Sequence, residues 1–158
     1  MPKLAADQCY RIVKSIDVGP VLSTWERLQF VAVNQTAPEK GRCNVVLANK
    51  FTPELNVLIE SLELGGSLGR AILRQLPAGI GIHPHVDQWM PGELYWRRFQ
   101  VPLVTHPDIV MRWPDDGVEL HLAPGFLYEV RFDRRHEVIN PTDTARTHLQ
   151  IDQIDATI

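Results

Sequence analysis

Residues 82–87 read Ile-His-Pro-His-Val-Asp. His83, His85 and Asp87 alternate with apolar or imino residues, so along an extended strand their side chains leave one face. Imidazole nitrogen and carboxylate oxygen are both ligands for first-row divalent metals. The bland alternative is a polar strand face satisfied by its neighbours. A strand advances ~3.3 Å per residue, which leaves i and i+2 about 6.6 Å apart and i and i+4 about 13 Å apart. One small ion is within reach of an i, i+2 pair but not of both ends of the triplet. The ligand pair is therefore either His83 with His85 or His85 with Asp87.

A second stretch, residues 136–146, answers the first. A His and carboxylate pair from one strand, completed by a distant His, is the 2-His-1-carboxylate arrangement that leaves coordination positions open on non-haem Fe(II). His136 follows the charged turn Asp-Arg-Arg and starts a predicted strand. Arg146 opens the last predicted strand, in which Arg146, His148, Gln150 and Asp152 alternate with Thr147, Leu149 and Ile151. Facing water, Arg146 is an ordinary surface charge. Facing inward, its planar guanidinium matches one end of a dicarboxylate through two parallel hydrogen bonds.

The elements that must bring these residues together are mostly strands. From Gly69 onward no helical period appears. Eight short β-like runs, over 68–76, 80–86, 95–104, 109–113, 118–122, 126–132, 137–140 and 146–154, are separated by Pro, Gly and Asn turn residues. Eight such strands suit a double-sheet jelly roll, whose open mouth collects side chains from separate strands. Before them, a strand is predicted over 10–16 and a helix over 21–30, where Val21, Leu22, Trp25 and Leu28 repeat with the helical period. A second helix starts at Thr52 as N-cap with Pro53 behind it, and stops at Gly65-Gly66. The expected organisation is one domain over 1–158, with helical support over about 20–65 and a jelly-roll core over about 68–154.

Size and charge agree with that class. A chain of 158 residues with 44% hydrophobic and 22% charged residues buries a full core without disulfide staples. Cys9 and Cys43 lack redox-pair spacing and read as buried small hydrophobes. A net charge of -3 argues against a surface that tracks phosphates, so no nucleic-acid partner is expected. No stretch has the apolar length of a membrane span and the N-terminus has no signal-like apolar region, so the expected location is the cytoplasm, with no membrane partner.

Taken in order, Pro84-His85-Val86-Asp87, Arg98-Phe99-Gln100-Val101-Pro102-Leu103, Pro124-Gly125, His136-Glu137-Val138-Ile139-Asn140 and Arg146 resemble the aspartyl/asparaginyl β-hydroxylase family of Fe(II)- and 2-oxoglutarate-dependent oxygenases. The resemblance covers roughly residues 74–152, and the N-terminal part carries no motif of that family. It implies Fe(II) held by His85, Asp87 and His136, with 2-oxoglutarate chelating the metal and Arg146 binding its far carboxylate. It thereby selects Asp87 over His83, which becomes a neighbour that packs or orients water or substrate. Arg98 and Gln100 are the further cosubstrate-binding candidates. Arg98 grips a carboxylate, and Gln100 stands where family members often carry His.

The implied reaction is dioxygenase hydroxylation of an unactivated C–H bond in an amino acid, peptide or other small molecule, with O2 consumed and succinate and CO2 released. Alternation sends Arg97 to the opposite face from Arg98, into solvent. Trp89, Trp96 and Trp113 are candidate pocket residues, with core or rim packing the default reading for each. The rival function is a cupin-like binding or structural protein whose same residues hold Zn or nothing. Zn-assisted hydrolysis is a third reading, disfavoured because it has no use for Arg146 and no separate general-base Glu adjoins the motif.

Overall fold

The computed structural model describes residues 4–28, 33–37, 41–47, 53–87 and 95–155. In chain order the elements are β1 (Tyr10–Ser15), α1 (Gly19–Leu28), β2 (Val33–Ala37), β3 (Gly41–Leu47), α2 (Pro53–Ser61), β4 (Ser67–Leu76), β5 (Ile82–His85), β6 (Tyr95–Val104), β7 (Val110–Trp113), β8 (Val118–Leu120), β9 (Phe126–Val130), β10 (His136–Ile139) and β11 (Arg146–Asp155). All pairings are antiparallel. The larger sheet runs β1-β9-β6-β11-β4-β3-β2 and the smaller β5-β10-β7-β8. The two form the double-stranded β-helix, or jelly roll, expected from the sequence.

Period-two alternation on β11 divides the interior. Leu149 and Ile151 face the helices, where they join Phe99, Val101 and Leu73 in a core with Val21 and Trp25 of α1 and Leu55 and Ile59 of α2. Arg146, His148 and Gln150 face the smaller sheet and line a pocket between the sheets. Apolar clusters flank that pocket, one of Ile72, Leu76, Ile82, Ile109 and Val138, the other around Met111, Trp113 and Tyr128. The polar site is thus set into a hydrophobic sandwich.

The eight later strands stand close to their expected ranges, and the stretch before them differs. Residues expected only as helical support also carry β2 and β3, which pair with each other and extend the larger sheet from β4. The second helix ends at Ser61, short of Gly65-Gly66. Its last amides turn to i−3 carbonyls, Leu62 to Ile59 and Glu63 to Glu60, and Glu63 itself takes the left-handed reversal with φ 50. Thr52, Phe30 and Trp89 lie outside the described residues.

One side chain departs from its expected surroundings, and two do not. Arg97 is buried, not solvated: its guanidinium forks onto Glu129 at 2.8 and 2.7 Å, and Arg11 pairs with the same carboxylate. Trp113 is a core residue, fully buried, with its indole N–H on the Arg131 carbonyl at 2.8 Å. Cys9 is the buried small hydrophobe expected, and burial and the nearby Asp116 carboxylate push its thiol pKa up. Among the described residues no helix is long and apolar enough to cross a membrane.

Candidate functional site

The first departure from the expected site geometry lies in β5. His136 pairs with His85 and Val138 with Ile82, so two residues of β10 advance against three of β5. That irregularity breaks the simple alternation, as bulges do where a side chain must be re-aimed. Ile82 and His85 both face the pocket, whereas His83 is exposed. The expectation that His83, His85 and Asp87 share one strand face therefore fails at His83. Asp87 lies beyond the strand end, fixed by its N–H on the Phe132 carbonyl at 3.1 Å.

Opposed across β5 and β10, the His85 and His136 rings stand 4.4 Å apart. His85 Nε2 is 3.4 Å from Asp87 Oδ1. One ligand atom from each of His85, Asp87 and His136 lies within 4.8 Å of the others. Each imidazole is oriented by the same local device. His85 Nδ1 is 2.7 Å from the His83 carbonyl oxygen, and His136 Nδ1 is 2.8 Å from that of Arg134. A carbonyl only accepts, so Nδ1 carries the proton and the Nε2 lone pair is left for a metal. Burial, with the neighbouring His85 ring adding to it, lowers the His136 pKa to about 4. The ring is therefore neutral at pH 7, the state a ligand needs. Two oriented imidazoles and a carboxylate fit a first-row divalent ion.

Arg98 is buried between two acids. It donates to Asp87 Oδ2 and forks onto Asp152 at 2.7 and 3.1 Å, with Phe132 under its guanidinium at 4.4 Å. Gln100 accepts from the His148 ring at 3.2 Å. Both line the pocket, and both are held by protein groups.

Arg146 is the opposite case. It is 7% exposed, and no carboxylate hydrogen-bonds to it among the described residues. Burial, and then the neighbouring Arg74 cation, lower its pKa to about 9, which still leaves it charged at neutral pH. A buried guanidinium beside another, with no acid on it, can receive an incoming anion. Arg74 and His148 face each other across β4 and β11, and both line the pocket. Neither was singled out from the sequence. The legible signal for Arg74 was an arginine set between Ile72 and Leu76 at period two.

No protein family and no curated protein matches the sequence. Solved structures share the fold. A prolyl-4-hydroxylase from Pseudomonas putida superposes with a TM-score of 0.68 at 14% identity, covering 93% of each chain. The non-haem α-ketoglutarate-dependent carbocyclase SnoK of nogalamycin biosynthesis reaches a TM-score of 0.71 at 17% identity over 95% of this chain and 81% of its own. The viral collagen prolyl hydroxylase of Paramecium bursaria Chlorella virus-1, solved with 2-oxoglutarate, gives 0.57 at 8% identity over 93% and 97%. At these identities the shared property is the architecture of two facing sheets.

Proposed function

We propose that the protein is an Fe(II)- and 2-oxoglutarate-dependent dioxygenase. The observation that carries this is the pairing, in one pocket, of a His85–Asp87–His136 donor set with the buried, acid-free guanidinium of Arg146. A metal-binding cupin without a cosubstrate needs only the first. The oxygenases that share its fold support the reading.

In this reading His85 Nε2, His136 Nε2 and Asp87 Oδ1 hold the metal. Arg146 holds the far carboxylate of 2-oxoglutarate, and the Arg74 cation adds to the field that draws a dianion inward. His148 and Gln100 line the path between. Burial pushes the His148 pKa well below its free value, so it is a neutral hydrogen-bonding group, not a third cation. Ile82, Met111 and Val138 form the apolar wall that excludes water. Bound there, Fe(II) and 2-oxoglutarate supply an oxidation in which O2 converts the keto acid to succinate and CO2 and adds a hydroxyl to a substrate C–H bond. The substrate in this reading is an amino acid, peptide or other small molecule.

The test is anaerobic loading with Fe(II) and 2-oxoglutarate, then O2 with a panel of amino acids and short peptides. The expected result is succinate formation with a product that has gained one oxygen. Metal binding with no succinate under any condition contradicts the oxygenase and favours the metal-binding cupin.

A further inference from the structure

The two oxygens of Asp87 face different partners. Oδ1 faces His85 Nε2 at 3.4 Å, while Oδ2 accepts from Arg98. Arg98 is not free to swing away. Its other donors fork onto Asp152, its register partner across β6 and β11. Asp152 is 1% exposed and is itself held by Arg70 Nε at 3.0 Å and Gln150 Nε2 at 3.2 Å. The Arg98 guanidinium carbon stands 4.4 Å from the centre of the Phe132 ring. The row Arg70–Asp152–Arg98–Asp87 thus alternates in sign and ends on one oxygen of the candidate ligand.

A carboxylate binds a divalent cation through one oxygen or through both. With two imidazoles and one carboxylate oxygen, a six-coordinate ion keeps three positions. With both oxygens bound it keeps two. A keto acid that chelates takes two, so the second oxygen decides whether any position remains for O2.

We propose that Arg98, held by Asp152, is a positioning residue that keeps Asp87 a one-oxygen ligand and so reserves a coordination position beside the chelated cosubstrate. The inference rests on the metal assignment above. It gives Arg98 a different task from gripping a cosubstrate carboxylate, because its donors are already engaged by Asp87 and Asp152. As a cation, Arg98 also draws negative charge from Asp87. Its removal should therefore leave the carboxylate a stronger, two-oxygen ligand.

The test uses Mn(II) in place of iron, with affinities read by calorimetry. Oxalate is a two-oxygen probe too short to need Arg146, and azide is a one-atom probe. In Arg98→Gln, Mn(II) should bind at least as tightly as in the parent and oxalate should still bind, since two positions remain, while azide affinity for the oxalate-saturated Mn(II) protein should fall about ten-fold or more, a typical size for an outer-sphere effect. Azide on the oxalate-free Mn(II) protein should be little changed. Arg98→Lys, which keeps one donor but not the fork, should fall between, and Asp152→Asn should shift azide on the oxalate complex in the same direction. If Arg98→Gln does not fold because Asp152 is left buried and uncompensated, these two milder variants carry the test. A merely structural role for Arg98 predicts that Mn(II), oxalate and azide weaken together, and that result overturns the proposal. So does unchanged azide affinity for the oxalate complex in all three variants. A parent protein that binds no Mn(II) overturns the metal assignment and this proposal together, whereas a parent that binds beside unmoved variants overturns this proposal alone.

Discussion

At the scale of single residues, the sharpest contrast is between neighbours on one short strand. His85 points at Asp87 and His136, whereas His83 is exposed and contributes its carbonyl to His85 Nδ1. His85→Ala and His136→Ala should therefore each lose most Mn(II) affinity in a calorimetric titration, while His83→Gln should stay near the parent. Loss in the His83 variant with retention in Asp87→Asn would reverse the assignment. His148 makes a prediction about stability. Burial, then the Arg146 cation, then His121, hold its folded pKa well below 6.5, so the unfolded chain takes up a proton there before the folded chain does. That favours unfolding as pH falls below 6.5, and the stability is recovered above it. In urea denaturation of the metal-free protein, the midpoint should drop between pH 7 and pH 5, and His148→Asn should flatten the drop. A pH profile unchanged by His148→Asn would count against a neutral buried ring.

At the scale of elements, the site depends on how closely β5 lies on β10. A Cβ added at Gly81 would stand 2.4 Å from the Val138 carbonyl oxygen, backbone that cannot swing aside. Gly81→Ala should therefore push β5 off β10 and separate His85 from His136. The expected cost is roughly 1–3 kcal/mol of stability, with a weaker Mn(II) site measured on the same variant. Full metal affinity in Gly81→Ala would show that the pairing does not set the site. This is also where the sequence was least legible. The alternation of His83, His85 and Asp87 is visible in one strand, but the irregularity that sends His83 outward depends on a partner some fifty residues away. β2 was missed for a related reason. Its sequence, Val-Asn-Gln-Thr-Ala, has little apolar content, and its place at the edge of the sheet is set by pairing with β3. The later strands could be read because turn residues punctuate them.

At the scale of the whole molecule, β11 divides two tasks. One face anchors the helix-side core through Leu149 and Ile151, and the other lines the pocket with Arg146, His148 and Gln150. That the strand alternates was visible in the sequence. Which face turned inward was not, since a row of Arg, His, Gln and Asp reads as solvated until a second sheet is laid over it. The same burial gives Arg146 its meaning, because a guanidinium without an acid is unremarkable in water and costly inside. The measurement that bears most directly on the proposed function is the anaerobic affinity of the Fe(II) protein for 2-oxoglutarate, read from its visible charge-transfer band, in the parent and Arg146→Ala, beside Mn(II) titrations of both. The parent should show the band. Arg146→Ala should keep its metal and lose roughly 2–5 kcal/mol of cosubstrate binding, about 30-fold to several thousand-fold in affinity, with Arg146→Lys between. A parent without the band, or an Arg146→Ala variant that binds 2-oxoglutarate as the parent does, would contradict a dicarboxylate held between the metal and Arg146.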